Sequence, residues 1–229
     1  MFSLVLPFYN EEACVEEVVR SLITLRHQNK LPIKFILVDN GSSDATGKII
    51  SGLIREFSQI EKVTVGRNRG YGYGIRQGLK KCKTKYIGFM CGDGQIDAKD
   101  VTGVIKRLQQ NPELDLCKVK RVKRYDGLQR RLVSWLYNFL FRILFNVSVT
   151  DINGTPKLFK RKWNKQLILR SDDWFIDAEL MLKAWHNKLI IEELPVSFYV
   201  RKTGFSNVRG ATMLEFLVNM FKFKLKGKS

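Results

Sequence analysis

The residues with the most chemistry in them are Cys91-Gly92-Asp93-Gly94-Gln95, directly after the apolar run Tyr86–Met90. A carboxylate and an amide two residues apart, at the end of a buried strand, suit Mg²⁺ or Mn²⁺ shared with a diphosphate. Such cations prefer oxygen ligands and take many of them from phosphate and water. In an open α/β sheet, ligands bind outside the carboxyl ends of the strands. Two other polar loops leave apolar runs in the same way: Pro7-Phe8-Tyr9-Asn10-Glu11, and Val38-Asp39-Asn40-Gly41-Ser42-Ser43-Asp44. Asp39 can accept hydrogen bonds from a base or ribose, or form an Asx turn. The stretch Asn68-Arg69-Gly70-Tyr71-Gly72-Tyr73-Gly74 lacks the full GxGxxG spacing and follows a third strand, not the first, which argues against a dinucleotide fingerprint. Its glycines suggest close approach of backbone to ligand at a helix start.

The elements that must hold these residues are legible as alternating patterns. Apolar runs of strand length recur at 3–7, 34–38, 62–65, 86–90 and 114–119, with helical spacing between them at 11–26, 44–58, 72–82 and 98–110. Alternation of this kind predicts βαβ units and a mostly parallel sheet. Asp44 is the expected N-cap of the second helix, and Asn111-Pro112 ends the fourth.

The chain has 229 residues with 45% apolar content, enough for one large globular domain. Its four cysteines form no CxxC pair, so reduced thiols are expected in place of a disulfide framework or zinc site. The apolar start reads as a first strand rather than a signal peptide. The net charge of +18 is uneven, +4 over residues 1–116 and +14 over 117–229. That asymmetry points to a polyanionic partner for the second half. Nucleic acid is disfavoured, because no helix-turn-helix, RRM or zinc motif is seen.

Residues 118–131 carry seven basic residues and one acid, and LVSWLYNFLFRILFNV follows at 132–147. A membrane-spanning helix needs about 20 mainly apolar residues. This run is shorter and carries Arg142, so a helix lying in a membrane interface is expected, with Trp135 and Tyr137 at headgroup depth. The alternative is a core helix. Residues 211–229 repeat the theme, with Lys222, Lys224, Lys226 and Lys228 at the end and an ambiguous helix-or-strand pattern at 221–226. No lipidation signal is evident.

Taken in order and spacing, LPFYNEE, VDNGSSDAT, NRGYGYGIRQG and CGDGQ resemble a family two glycosyltransferase of the GT-A fold. Within it the chain is similar to dolichol-phosphate mannose synthases and polyprenyl-phosphate sugar transferases, over about residues 2–207. The resemblance implies an α/β, Rossmann-like, mostly parallel central sheet flanked by helices, with basic amphipathic interfacial helices. It implies one catalytic domain over 1–210, divided into a nucleotide-sugar half (1–116) and an acceptor half (117–210) with an amphipathic helix at 128–147. A basic tail at 211–229 would follow.

Carried residue by residue, the resemblance implies that Pro7, Tyr9, Glu11, Asp39, Gly70, Arg76, Asp93 and Ser206 bind the nucleotide sugar. Asp93 and Gln95 would hold Mg²⁺ or Mn²⁺. The family usually has an acid two residues before Asp93; here that position is Cys91. Arg121 or Arg124, with Arg130 or Arg131, would contact donor and acceptor phosphates. Lys157 stands where relatives often have arginine. Asp177 and Glu179 match an acidic helix on the acceptor side, although capping and salt bridging also explain such residues. Arg201 and Ser206 fall in a loop expected to close over the diphosphate.

The reaction so implied moves a sugar from a nucleotide diphosphate to a polyprenyl phosphate, with inversion, at the cytoplasmic face of an anionic membrane. The protein would be peripheral, alone or with a separate membrane-protein partner. Three other readings stay open at this level. One is a hydroxyl acceptor with Asp177 or Glu179 as base. The second is a non-catalytic membrane-associated relative, and the third a nucleic-acid-binding module.

Overall fold

A computed structural model describes residues 1–125, 127–199 and 218–224. Seven strands form one sheet in the order β3-β2-β1-β4-β6-β5-β7. They are β1 (Phe2–Phe8), β2 (Ile33–Asp39), β3 (Ile60–Thr64), β4 (Tyr86–Phe89), β5 (Leu116–Arg124), β6 (Lys157–Lys160) and β7 (Ile191–Phe198). The expected mostly parallel α/β sheet is present: β1 runs parallel to β2 and β4, β2 to β3, and β5 to β7. β6 lies antiparallel between β4 and β5. β6 and β7 were not among the strands expected from sequence, and β5 extends beyond the expected 114–119.

Helices cover both faces. α1 (Val15–Gln28), α2 (Thr46–Glu56) and α4 (Ala98–Gln110) turn Val19, Leu22, Ile50, Val104 and Leu108 onto one face, against Leu4, Leu6, Phe35 and Leu37. α3 (Tyr71–Lys81), α5 (Leu128–Phe145) and α7 (Ile176–His186) cover the other, with Ile75, Phe141, Ile176 and Leu180 against Val5, Ile36, Phe89 and Phe159. A short α6 (Asn164–Leu167) precedes α7. Burying a Leu, Ile or Phe side chain stabilises by roughly 1.5–3 kcal/mol, so these two layers dominate the fold.

Asp44 sits one residue before the N-cap position, which Ala45 holds. Its carboxylate still accepts the Thr46 N–H at 3.0 Å, so it satisfies an orphan donor from outside the expected place. Asp97 is the N-cap of α4 and accepts the Lys99 N–H at 2.9 Å.

The strand order reverses at β1, whose neighbours are β2 on one side and β4 on the other. Crevices form at such switch points. The loops after β1 and β4, carrying Tyr9–Glu11 and Cys91–Gln95, leave the sheet at this point. Positioning the site is therefore a consequence of topology as much as of any one residue.

Candidate functional site

The loops after β1 and β2 are laced together by reciprocal hydrogen bonds. Asn10 N–H donates to Ser42 Oγ at 3.2 Å, and Ser43 N–H donates to Asn10 Oδ1 at 2.9 Å. Glu11 N–H donates to Thr46 Oγ1 at 2.8 Å, Glu12 N–H to Asp44 Oδ2 at 3.1 Å, and Ala45 N–H to Glu12 Oε2 at 2.8 Å. Each such bond is worth on the order of 1 kcal/mol, and together they fix the crevice before any ligand arrives. Asp39 ends β2 beside them. Its carboxylate accepts the Ser42 N–H at 3.1 Å and lies 4.0 Å from Lys62 Nζ. Pro7 is buried within β1 opposite Val38, while Tyr9 is 37% exposed at the crevice.

The Asp93 loop is held from three directions. Met90 N–H donates to Val5 C=O at 3.0 Å. Gln95 N–H donates to Asp93 Oδ1 at 3.1 Å. Gln95 Nε2 donates to Tyr199 C=O at 3.0 Å, and Tyr199 N–H returns to Gln95 C=O at 3.1 Å. With its amide nitrogen committed, Gln95 keeps an oxygen for a cation. Asp93 makes no ion pair among the described residues. Burial, then Asp93 beside it, holds the Cys91 thiol well above its ordinary pKa of 9.0, so Cys91 stays neutral.

One carboxylate and one amide oxygen fit a hard cation that arrives with a diphosphate supplying the remaining oxygens. They do not make a free-standing metal site: no group of three His, Cys, Asp or Glu side chains among the described residues is placed to hold one. A cavity of about 370 Å³ beside this loop is lined by Cys14, Glu17, Val18, Leu22, Asp93 and Tyr199. It runs under α1 rather than over Asp39 or Tyr9.

The chain was matched by sequence to the family described as Glycosyl transferase family 2, over residues 3–168. The chain belongs to this family. A dodecaprenyl-phosphate galacturonate synthase of Rhizobium johnstonii is 30% identical over 89% of the chain and 60% of that protein. Dolichyl-phosphate beta-glucosyltransferases of Dictyostelium discoideum and Saccharomyces cerevisiae are 24% and 25% identical over 86% of the chain. The chain spans 60–66% of the length of these curated relatives. Among solved structures, glucosyl-3-phosphoglycerate synthase from Mycobacterium tuberculosis, in complex with Mn²⁺, UDP-glucose and phosphoglyceric acid, superposes with a TM-score of 0.72. It covers 98% of this chain and 79% of its own at 18% identity. Staphylococcus aureus TarS (1–349) with UDP-GlcNAc gives 0.64 at 18% identity, over 96% of this chain and 65% of its own. These likenesses establish the fold.

Against that family pattern, several expected site residues have other partners in this chain. Arg76 donates to Arg170 C=O at 2.8 Å and pairs with Asp172, so it ties α3 to the loop before α7. The glycines before it have the same purpose. A Cβ on Gly70 would lie 2.2 Å from Asp172 O, and one on Gly72 2.4 Å from Ser171 O. The backbone that approaches these two glycines most closely is the protein's own, at Ser171 and Asp172. Glu179 is 2% exposed; its carboxylate accepts the Arg170 N–H at 2.9 Å and the Ser171 N–H at 2.8 Å, and pairs with Lys183 at 2.7 Å. It holds the same loop.

Asp177 and Lys157 are buried together and ion-paired. Burial pushes Lys157 down to about 8 despite Asp177, and raises Asp177 against the pull of Lys157. Neither side chain is displayed to solvent.

Arg121 lies at the far side of the crevice. Its Nε and Nη2 bind Asp151 Oδ2 and Oδ1 at 2.8 and 2.7 Å. Burial alone would raise Asp151, but the Arg121 guanidinium outweighs it and holds the carboxyl well below the usual range. Arg121 and Arg124 both stand over the Phe198 ring, at 5.1 and 5.2 Å. Behind them Lys118 is fully buried, bonded to Val119 C=O, Asp151 C=O and Glu193. This network, missed from sequence, was signalled only by the Lys118–Arg121 and Glu192–Glu193 charges on strands that pair.

α5 starts within four residues of Arg124 and has two apolar sides. Tyr137 and Phe141 enter the core. Leu128, Leu132, Trp135, Leu136, Phe139 and Ile143 form an outer stripe, from 38% (Phe139) to 79% (Leu128) exposed. Arg130, Arg131 and Arg142 are exposed on the same helix. Segment 218–224 is helical and packs beside it, with Met220 buried and Phe223 6.2 Å from Phe145. Val218 and Phe221 remain exposed. One side of α5 is therefore the core helix of the alternative reading; Tyr137, expected at headgroup depth, is buried there, while Trp135 is exposed on the other side. No helix among the described residues is long and apolar enough to cross a membrane. Arg201 and Ser206 lie outside the described residues.

Proposed function

We propose that this family 2 chain transfers a sugar from a nucleoside diphosphate sugar to a polyprenyl phosphate, bound peripherally at the cytoplasmic face of an anionic membrane. The observation that carries the reading is the exposed apolar stripe of α5, beginning beside Arg124 at the carboxyl edge of the sheet. A contiguous apolar surface of this kind on a basic helix fits a lipid interface, and a soluble acceptor gives no reason for it. The names of the related synthase and glucosyltransferases support a lipid phosphate acceptor.

In this reading Asp39 and the laced loops bind the nucleoside. Asp93 and Gln95 hold a divalent cation, Mg²⁺ or Mn²⁺, which would neutralise charge on the leaving diphosphate. Arg121, Arg124, Arg130 and Arg131 attract the acceptor phosphate, which guanidinium forks bind in two-point fashion. Asp151 fixes the angle of Arg121. A phosphate acceptor is already anionic and needs no base to remove a proton. That agrees with Asp177 being buried on Lys157 instead of standing ready as a base. Catalysis then rests on positioning and charge neutralisation. A separate membrane-protein partner is compatible with this arrangement.

The test is transfer of labelled sugar from a panel of nucleotide sugars to polyprenyl phosphate in anionic liposomes, with and without Mn²⁺ or Mg²⁺. Metal-dependent label in the lipid phase is expected. Donor binding with label only on soluble hydroxyl acceptors would replace this reading with a glycan acceptor.

A further inference from the structure

We propose that Tyr71 and Trp174 form the wall against which the donor's sugar ring rests, and that this pair selects the sugar. The inference deepens the proposed reaction and rests on its donor-binding half. The two rings stack with centroids 4.2 Å apart and planes 17° from parallel. Tyr71 is the first residue of α3 and Trp174 lies two residues before α7, so the stack bridges the nucleotide half and the acceptor half. The sugar of a donor must lie at such a junction, because the diphosphate anchors it on one side and the acceptor attacks from the other.

The stack is held to the crevice by named contacts. Asn40, next to Asp39, donates from Nδ2 to Gly70 C=O at 3.0 Å, fixing the residue before Tyr71. Tyr73 N–H donates to Asp172 C=O at 3.0 Å. Arg76 and Arg69 both pair with Asp172. Asp173 accepts the Phe175 N–H at 2.9 Å and the Asn219 amide at 2.6 Å. With Glu179 on the 170–171 backbone, the loop carrying Trp174 is restrained from every neighbouring element.

Packing alone does not account for the indole. Phe175 supplies the core contact, at 3% exposure, while Trp174 stays only half-buried on top of Tyr71. The phenol has Asp177, Cys91 and Asp93 as its ionisable neighbours; burial first, then these groups, hold its pKa well above 10. The phenol therefore stands beside the cation loop. An aromatic face for the C–H side of a pyranose, with a phenol hydroxyl on the partner ring, is the chemistry a sugar subsite needs.

The experiment measures, with Mn²⁺ present, binding of the free nucleoside diphosphate and of several nucleotide sugars to wild type, Trp174→Ala, Trp174→Phe and Tyr71→Phe. Trp174→Ala should weaken nucleotide-sugar binding by about five- to tenfold while leaving the free diphosphate unchanged. Trp174→Phe should recover most of that loss, and Tyr71→Phe should narrow the preference between sugars that differ at one hydroxyl. Equal losses for diphosphate and nucleotide sugar, or no loss for either, would overturn the assignment while leaving the proposed reaction standing. A wild type that binds no nucleoside diphosphate would overturn both.

Discussion

Asp93 is the residue on which the site depends most narrowly. Asp93→Asn should lower kcat by about 10²–10³-fold if the carboxylate holds the cation as proposed. Initial rates over a Mn²⁺ titration check this, and near-normal turnover would remove the carboxylate from the site. Cys91→Asp should do the reverse. It adds a second carboxylate to a loop whose Cys91 is held neutral, and should lower the Mn²⁺ concentration for half-maximal rate by about tenfold, as ligand charge tunes affinity. An unchanged titration would mean that position 91 points away from the metal. At this scale the sequence was informative where chemistry depends on local order. The Asp93–Gln95 spacing and the Asp39 turn are readable because strand ends put them at the crevice. It left open the salt-bridging alternative that Glu179 takes up with Lys183, and it gave no sign of the Arg76 partners, which lie 94–96 residues away and are fixed only by tertiary contact.

Among the elements, α4 carries a built-in cost. Burial, and secondarily Asp97, raise Asp100 to about 6 from the ordinary 3.8. Between those values the folded chain holds one more proton than the unfolded chain at this residue. Its contribution to stability therefore falls as pH rises from about 4 to about 6. Asp100→Asn should flatten that slope and stabilise at pH 7 by about 1 kcal/mol, well under the two-unit shift because the residue is partly solvated. Urea midpoints at pH 4 and pH 7 decide it: a gain at pH 4 equal to that at pH 7 would exclude the titration as its cause. The first four strands and helices were legible because period 2 and period 3.6 patterns stand out in long buried segments. β6 and β7 were not. β6 is four residues with lysine at both ends, and β7 holds Glu192, Glu193 and Pro195. Their identity as strands comes from pairing with β4 and β5, not from their own pattern.

For the whole molecule, the outer stripe of α5 and segment 218–224 should determine attachment to lipid. Trp135→Asp with Leu132→Asp should reduce sedimentation with anionic liposomes several-fold, and Arg130→Glu with Arg131→Glu should make the residual binding insensitive to salt. Full retention by both variants would leave the stripe without a lipid role. The placement of β6 has a further consequence, for synthesis. β4 pairs with β1 on one side and waits for β6 on the other, and β6 lies 68 residues after β4 ends, as Phe89 and Lys157 mark. Within the sheet, β5 pairs with β6 and β7 among the described residues. A ribosome therefore releases β4 as a bare, fully apolar edge, followed by a β5 with nothing to join. Unpaired apolar edges recruit other chains. A fragment ending at residue 125 should accordingly aggregate rather than fold as a nucleotide-binding unit, measurable by light scattering against the full chain. A growing chain would then need shielding at the β4 edge until residue 160 is out.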